Sequence, residues 1–269
     1  MRKSEIHARA NADLPCIRFS AILSGMKYAI HHVETIDSTN NAVKALAQAD
    51  EPEGYVLVAD HQSAGKGRLG RSFYSPAGSG LYVSILLRPK AVVSPAALTC
   101  LSAVALADTI RSFDVDCRIK WVNDIYCHEK KAAGILTEGL LESNGRFRYA
   151  VVGIGVNLSL PAEIPTALRN IMTGVFDKPT DTAFRDQFLD ELMRRFSVYY
   201  DQLPEITFWQ AYHDLQNVFG RRVSFRDNGI EKEGVAESID SAFRLLIRTG
   251  EDLETFRRLT GETEITREY

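Results

Sequence analysis

Apolar residues in this chain recur with two different periods, and the longer period predicts helices. From Asp181 to Tyr200 they recur every three or four residues, which predicts an amphipathic helix. Pro95 opens an apolar run that ends near Ser112 and predicts a second helix, because proline fits the first helical turn. The segment from Pro204 to Asn217 predicts a third helix.

Shorter runs rich in β-branched residues predict strands. These runs are Tyr55 to Ala59, Leu81 to Leu87, Arg118 to Trp121, Ala132 to Leu141 and Phe147 to Leu158. The Asn144-Gly145 pair between the last two runs is a strong turn signal and predicts an antiparallel hairpin. Helices and strands together predict an α+β fold.

The pattern changes at both ends of the chain. Residues 1 to 27 show no clear period, so we expect a weakly ordered lead-in segment there. From Arg222 onward, short β-prone runs alternate with turns, which is typical of a small barrel. We therefore expect a large domain over residues 28 to 217 and a smaller domain over residues 218 to 269.

Composition and charge narrow the class of protein. The 269 residues include 32 Lys and Arg against 35 Asp and Glu, so the chain lacks the overall basic charge of a general nucleic-acid binder. Any anion site must be local. The N-terminus has no apolar signal sequence, and the longest uncharged apolar stretch, Ala97 to Ala107, is shorter than the about 20 residues of a membrane span. We expect a soluble, cytoplasmic protein.

The cysteines give no sign of a zinc site or a disulfide framework. Cys16, Cys100, Cys117 and Cys127 form no C-x-x-C pair, and Cys127 with His128 is at most half of a metal site. Reduced thiols are therefore the expectation.

A glycine-rich loop between two predicted strands is the first candidate for chemistry. Gly65 to Gly70 matches the G-x-G-x-x-G pattern of dinucleotide-binding proteins, but Ser75-Pro76 and the glycines after it prevent the helix that this fold requires. No P-loop motif occurs either. What remains is a flexible loop with Lys66, Arg68 and Arg71, whose backbone amides and cations can wrap a polyanion. The alternative is a merely solvated basic loop.

Three further segments carry candidate groups. In Lys120 to Asp124 and Lys130 to Leu136, a lysine and an aspartate come just after short strands, where they can meet a ligand. Gly153 to Asn157 is a glycine-broken strand that can flank a bound molecule. Ser38 and Thr39 open a helix that we expect to run to Ala49. The alternatives are surface charges at strand ends and simple helix capping.

Taken together and in order, these motifs resemble those of the biotin protein ligases, the biotin-[acetyl-CoA carboxylase] ligase family. The resemblance covers about residues 30 to 269 and rests on five short motifs in the right order. The chain departs from the family pattern at Lys66, usually arginine, at Phe73, usually tryptophan, and at Val122, usually proline. None of these changes deletes a reactive group, although lysine lacks the bidentate fork of arginine.

The resemblance implies a fold and a reaction. The fold is a catalytic domain of the class II synthetase and lipoate-ligase type, followed by a small SH3-like barrel. The implied reaction uses ATP and Mg²⁺ to activate biotin as biotinyl-5'-AMP. A lysine of a biotin carboxyl carrier protein domain then takes the biotinyl group.

The resemblance also implies roles for individual residues. Lys131, Arg68 and Asp124 are the expected catalytic residues: Lys131 at the reacting carboxylate and α-phosphate, Arg68 in the closing loop, and Asp124 at the acceptor lysine. Biotin is expected to contact Ser38, Thr39, Asn40, Gln62, Lys66, Gly67, Arg68, Lys131 and Gly134. The nucleotide is expected to contact Arg71, Phe73, Lys120, Asn123 and Asn157. No side chain is expected to ligate a metal ion.

Two other readings stay open. A lipoate-protein ligase shares the implied fold and adenylation chemistry, although the loop and the Lys120 to Asp124 motif match the biotin branch better. A DNA-binding repressor is disfavoured, because fewer than 40 residues precede Ser38 and they show no helix-turn-helix pattern. We expect no binding to DNA or membranes, and a monomer or a homodimer.

Overall fold

The computed structural model describes residues 17–23, 26–227, 230–249, 256–259 and 265–268, and its largest element is a mixed sheet. The sheet has eight strands in the order β1-β2-β3-β4-β8-β7-β6-β5. Strands β2 and β3 are parallel, and every other neighbouring pair is antiparallel. The strands are β1 (Ile17–Leu23), β2 (Met26–Ile36), β3 (Tyr55–Gln62), β4 (Gly80–Leu87), β5 (Arg118–Lys120), β6 (Asp124–Cys127), β7 (Lys130–Leu141) and β8 (Phe147–Asn157).

Four α-helices accompany the sheets in the part of the chain that the structure describes. They are α1 (Thr39–Gln48), α2 (Pro95–Arg111), α3 (Thr182–Asp201) and α4 (Trp209–Asp214). Helix α1 is the crossover that the parallel strands β2 and β3 require. It starts at Ser38, whose hydroxyl accepts a hydrogen bond from the Asn41 amide. Helix α2 starts with Pro95 in its first turn, after Ser94 as its cap. Single 3₁₀ turns lie at Arg68–Gly70, Thr166–Leu168 and Leu203–Glu205.

The eight-stranded sheet is buried on both faces, because helices cover each side. In β3, Leu57 and Ala59 face the cluster around α1, whereas Val56 and Val58 face the larger core that includes α2 and α3. This alternation follows from the two-residue period of a strand. Leu46 of α1 is fully buried, and such burial contributes roughly 1.5 to 3 kcal/mol per side chain.

The C-terminal region forms a second, antiparallel sheet. Its strands lie in the order β12-β11-β10-β9-β13, which is an open order among the described residues. The strands are β9 (Arg222–Asp227), β10 (Ile230–Ile239), β11 (Leu245–Arg248), β12 (Phe256–Leu259) and β13 (Ile265–Glu268). A small β-sheet after the large domain is confirmed, whereas the predicted closure into a barrel is not.

The two sheets share one continuous apolar core. Phe243, in the turn before β11, stacks on Phe208 with ring centroids 5.7 Å apart and meets Tyr212 edge-on at 5.8 Å. Val223 and Phe225 of β9 belong to the same cluster as the core under α2. The C-terminal sheet is therefore packed against the larger sheet's helical layer.

Most predicted elements are confirmed with small shifts at their ends, including the hairpin at Asn144-Gly145. The lead-in prediction was wrong in part, because Ile17–Leu23 form a strand that pairs with β2. The third predicted helix was also wrong in extent. It is divided into a 3₁₀ turn and the short α4, because Ile206 between them has a left-handed backbone. Strand β6 was not predicted at all.

Further properties of the described residues concern membranes and thiols. No helix among them is both long and apolar enough to span a bilayer. Cys100, Cys117 and Cys127 are free and buried, and burial raises the pKa of Cys117 and Cys127 to about 12. These thiols are therefore packing groups at neutral pH. Cys16 lies outside the described residues.

Candidate active site

A cleft of about 180 Å³ lies where the glycine-rich loop, the start of α1 and the strands β5 to β8 meet. Every predicted site residue except Asn157 lines it. Those residues are Ser38, Thr39, Asn40, Gln62, Lys66, Gly67, Arg68, Arg71, Phe73, Lys120, Asn123, Asp124, Lys131 and Gly134. Motifs far apart in the sequence are thus brought to one place.

One side of the cleft, here called the neutral wall, consists of the uncharged side chains of Ser38, Thr39, Asn40 and Gln62. The Gln62 carbonyl oxygen accepts from the Thr39 amide at 2.9 Å, and its amide group donates to the Ser75 hydroxyl at 3.0 Å. These bonds join the start of α1 to the end of β3. The helix-capping reading of Ser38 is therefore correct but incomplete, because the cap also faces the cleft.

The basic side chains of the cleft, here called the cationic wall, are those of Lys66, Arg68, Arg71, Lys120 and Lys131. Among the described lining residues, Asp124 is the one carboxylate. The chain as a whole has a net charge of -3, so this concentration of positive charge is local. Such a cleft favours an anionic ligand.

The glycine-rich loop folds back on itself as a narrow ribbon. The Gly67 amide donates to the Arg71 carbonyl at 2.7 Å, and the Phe73 amide donates to the Gly65 carbonyl at 2.9 Å. The turn Arg68–Gly70 closes the ribbon. No helix follows the third glycine before β4, so the dinucleotide-binding reading is excluded by the local structure.

Arg68 tethers this loop to the turn between β5 and β6. Its guanidinium donates to the Asn123 side-chain oxygen at 2.9 Å, and Asn123 donates in turn to the Ile135 carbonyl at 2.9 Å. Burial lowers the pKa of Arg68, and the charge of Asp124 opposes part of that shift. This charge-assisted contact therefore helps to hold the loop at the cleft.

Lys131 and Asp124 form an ion pair at the centre of the cleft. The Lys131 ammonium lies 2.8 Å from Asp124 Oδ1, and both side chains are about a quarter exposed. Gly134 lies opposite Asp124 in the register of β6 and β7, and a Cβ there would be 3.2 Å from the Lys131 ammonium. Asp124 comes after the short strand β5, as predicted, and it also begins β6, a strand that was not predicted.

The turn that carries Asn123 and Asp124 is held from behind by the C-terminal part of the chain. Tyr212 donates to the Val122 carbonyl at 2.9 Å, and Trp121 donates through its indole N–H to the Phe243 carbonyl at 3.1 Å. The sequence analysis missed Tyr212 and Phe243. A single aromatic residue in a C-terminal segment carries no spacing signal that could reveal this contact.

Asn157 is the predicted residue that the structure does not bring to the cleft. It ends β8, opposite Gly80, and its carbonyl accepts from the Val175 amide at 2.8 Å. Earlier in the same strand, Gly155 does line the cleft. The ring of Phe73 lies on Gly155, where any Cβ would be 2.6 Å from a ring carbon. The glycine-broken strand thus contributes through its glycines.

The donor set of the cleft does not fit a metal ion held by the protein. Within the part of the chain that the structure describes, no three His, Cys, Asp or Glu side chains are grouped so that they could ligate one. Asp124 is already paired with Lys131. The cleft is suited to binding an anion with lysine and arginine side chains.

Comparisons with known proteins agree with this arrangement. A family model described as the Biotin/lipoate A/B protein ligase family matches residues 32–157. The bifunctional ligase/repressor BirA of Bacillus subtilis is 30% identical over 249 residues, which cover 88% of this chain and 75% of that protein. The biotin--[acetyl-CoA-carboxylase] ligase of Paracoccus denitrificans is 31% identical over 230 residues, which cover 79% of this chain and 91% of that protein.

Among solved structures, biotin protein ligase from Aquifex aeolicus in complex with biotin and ATP has the same fold. It superposes with a TM-score of 0.75 at 28% identity, over 88% of this chain and 98% of that chain. The similarity therefore extends well beyond the segment that the family model matches.

Proposed function

This chain belongs to the biotin protein ligase family, and we propose that it joins biotin to a lysine of a carrier-protein domain in two steps. Biotin and ATP first give biotinyl-5'-AMP and pyrophosphate. The lysine amine then displaces AMP and forms an amide. One observation carries the proposal: a single cleft is lined by the neutral wall, the cationic wall and the Lys131–Asp124 pair.

In the first step, the biotin carboxylate attacks the α-phosphorus of ATP. A carboxyl–phosphorus C–O–P linkage forms, the bond from the α-phosphorus to the bridging oxygen breaks, and pyrophosphate leaves. Because this step brings two anions together, it needs fixed positive charge at the reacting oxygens. Lys131 supplies that charge, with Lys66 and Arg68 of the loop on the same side of the ligand. Lys131 exchanges Asp124 for the ligand oxygens.

In the second step, Asp124 acts on the incoming lysine. A lysine side chain has a pKa of about 10.4 and is mostly protonated near neutral pH, so it must lose a proton before it attacks. Asp124, released from Lys131, orients the ammonium group and accepts the proton. The amine then attacks the carbonyl of the mixed anhydride, and AMP carries away the electron pair of the broken bond.

The remaining residues bind the two substrates. The neutral wall holds the uncharged ureido head of biotin, with Gly67 and Gly134 allowing close approach. Arg71, Phe73, Lys120 and Asn123 hold the nucleotide. We leave Asn157 out of this site, because its side chain does not line the cleft.

We also propose that Mg²⁺ accompanies ATP, that the C-terminal sheet is a domain of its own, and that the reaction has a defined cellular setting. ATP would bring Mg²⁺ on its phosphates, where the ion would offset their charge. The described residues of the cleft offer no ligand set for Mg²⁺, and the two steps proposed above are assigned to side chains alone. The sheet after residue 217 is an SH3-like domain, and residues 28–217 form the catalytic domain. The acceptor is a biotin carboxyl carrier protein domain in the cytoplasm, and the ligase is a monomer or a homodimer.

A lipoate-protein ligase is the second candidate, since the matching family model covers biotin and lipoate ligases alike. The named relatives and the solved structure given above favour biotin.

The deciding experiment is an ATP–pyrophosphate exchange assay with biotin and with lipoate. We expect exchange that depends on biotin and is weak with lipoate. Omission of biotin or of ATP should abolish the exchange. Transfer of biotin to a carrier domain, detected by mass, completes the test. Exchange supported by lipoate alone would contradict the proposal.

A further inference from the structure

A chain of hydrogen-bonded side chains runs from the neutral wall to the protein surface. At its outer end, Lys44 of α1 lies 3.1 Å from one oxygen of the Glu138 carboxylate. The other Glu138 oxygen accepts from the Asn40 side-chain amide at 3.2 Å. Ser84, which is fully buried in β4 behind the cleft, then lies between Asn40 and Thr39. Glu138 itself is outside the cleft.

Glu138 determines which way the Asn40 amide points. The Asn40 NH₂ group lies 3.2 Å from the Glu138 carboxylate and 3.4 Å from the Leu136 carbonyl. Both of these neighbours can only accept hydrogen bonds when the carboxylate is ionised. The Asn40 oxygen must therefore face the other way, toward Ser84. Gly153 leaves room for this oxygen, because a Cβ there would clash with it.

The ionised form of Glu138 is the relevant one. Burial alone would raise the pKa of Glu138, but hydrogen bonds from Asn40 and Lys44, together with the charges of Lys44 and Lys66, outweigh it. The net effect holds the pKa below its ordinary value, so the carboxylate is a constant acceptor at neutral pH.

Proton counting then gives the polarity of the rest of the chain. Three oxygen–oxygen contacts join the side chains: Asn40 to Ser84 at 2.6 Å, Ser84 to Thr39 at 2.8 Å, and Thr39 to Gln62 at 3.0 Å. Only two hydroxyl protons, those of Ser84 and Thr39, are available for them. Since the Asn40 oxygen can only accept and lies nearest to Ser84, Ser84 donates to it, while the single Thr39 proton serves either Ser84 or Gln62.

In either case the Thr39 oxygen receives no proton from Ser84, and it lies 3.0 Å from the Gln62 carbonyl oxygen. Both oxygens belong to side chains that line the cleft, whereas Ser84 does not. The Gln62 oxygen is kept as an acceptor by the Thr39 amide, and the Gln62 NH₂ group is occupied by Ser75. Two acceptors 3.0 Å apart are best satisfied by an N–H group of a ligand.

We propose that Glu138 is a positioning residue, which acts through Asn40 and Ser84 to make the Thr39–Gln62 oxygen pair an acceptor for a ureido N–H of biotin. The inference rests on the proposed function, because it takes biotin as the ligand of the neutral wall. It assigns to a residue outside the cleft a role in substrate affinity. Chemistry at the carboxylate of biotin should be unaffected.

The test compares Glu138→Ala with Lys44→Ala. Both variants break the same ion pair, but only the first removes the acceptor for Asn40. We expect Glu138→Ala to raise the dissociation constant and the KM for biotin about tenfold, which is the loss usual for a buried polar contact. The kcat for exchange at saturating biotin should stay within about twofold. Lys44→Ala should change none of these values by more than about twofold.

Two further variants test the same proposal if Glu138→Ala folds poorly. Ser84→Ala removes the hydroxyl that links Asn40 to Thr39, and should also raise the KM for biotin about tenfold. Glu138→Gln keeps an acceptor oxygen and should restore affinity to within about threefold of wild type. Because Glu138 and Ser84 act through one chain, the double alanine variant should bind no more weakly than the worse single variant.

A biotin analogue supplies an independent readout. In this analogue one ureido N–H is replaced by an ether oxygen, and calorimetry measures its binding. It should bind the wild type about tenfold more weakly than biotin does, but lose little in Glu138→Ala. Equal dissociation constants for Glu138→Ala and Lys44→Ala, or additive losses in the double variant, overturn the positioning role alone. Failure of the wild type to bind biotin overturns the proposed function as well.

Discussion

The two walls of the cleft are built in different ways. In the neutral wall, Ser38, Thr39 and Asn40 are at most 4% exposed, and Thr39 and Asn40 are hydrogen-bonded to neighbouring strands. In the cationic wall, Lys131 is 28% exposed, and Arg68 is held by a single side-chain bond to Asn123 among those described above. One wall is part of the core, and the other is mounted on a loop and on strand ends.

This difference indicates at which stage, folding or ligand binding, each wall takes its final form. The neutral wall is completed by folding, because its partners come from α1, β3, β4 and β7, apart from Ser75, which bonds Gln62. The cationic wall gathers five like charges around one carboxylate, which is unfavourable until an anion enters. Its loop is also rich in glycine, which loses much conformational entropy when it is ordered. We therefore expect the neutral wall to set affinity for biotin and the cationic wall to complete the site only with ATP.

Loss of Lys131 is expected to have the largest effect. Lys131→Ala should lower biotin-dependent ATP–pyrophosphate exchange by about a thousandfold or more, because the charge stabilises the transition state of the first step. Biotin binding without ATP should fall far less, since the neutral wall is intact. Lys130→Ala is the matched control, because Lys130 precedes Lys131 and its ammonium donates to the exposed Arg169 carbonyl. The exchange rate of Lys130→Ala should stay within about twofold of the wild-type rate. Near-normal exchange in Lys131→Ala would contradict the assignment of Lys131 to the first step.

Asp124 should separate the two half-reactions. Asp124→Asn is expected to slow transfer to the carrier lysine about a hundredfold, the usual contribution of a general base, and to slow exchange by less than about tenfold. Transfer should recover partly at higher pH, because the acceptor lysine then loses its proton without help. Gel-based transfer and exchange rates, measured on one preparation, check this. Equal losses in both steps argue for a purely structural role.

Loss of the hydrogen bond between Arg68 and Asn123 should raise the KM for ATP about tenfold, because this charge-assisted bond joins the loop to the turn. Arg68→Ala should also make the loop more sensitive to protease in the absence of ligand. A double-mutant cycle with Asn123→Ala isolates the contact, and the two changes should be strongly non-additive. If the losses simply add, the loop is not held at Asn123.

Salt should have the smallest effect and should distinguish the walls directly. Raising the ionic strength from about 0.05 M to about 0.5 M shortens the Debye length severalfold, and the KM for ATP should rise severalfold. The KM for biotin should change by less than about twofold, because hydrogen bonds of buried uncharged groups are not screened. A parallel rise in both KM values would show that the walls do not act separately.

The contact between helix α4 and the turn that carries Asn123 and Asp124 adds a further difference. The cationic wall depends on the backbone at Val122, which Tyr212 supports through a fully buried hydroxyl. Burial raises the pKa of Tyr212 well above its ordinary value, so this hydroxyl remains a donor at all physiological pH values. The neutral wall has no such support from α4 among the contacts described above.

The sequence by itself determined those features whose signal is local. The period of apolar residues located α2, α3 and the strands β3, β4, β7 and β8, because one buried face of each element is written in consecutive residues. The cationic loop was also readable, since Lys66, Arg68 and Arg71 lie within six positions of one another. The order of short motifs was enough to indicate the family.

Only the tertiary structure decided how these pieces meet. Asn40 and Glu138 are 98 positions apart, and Tyr212 and Val122 are 90 apart, so no local period or spacing relates them. Strand β6 has only four residues and is specified by its neighbours on the sheet. Asn157 carries a motif position but ends its strand away from the cleft. Hydrogen bonds of buried polar groups depend on the chain's path in space, and that path is a property of the whole packed sheet.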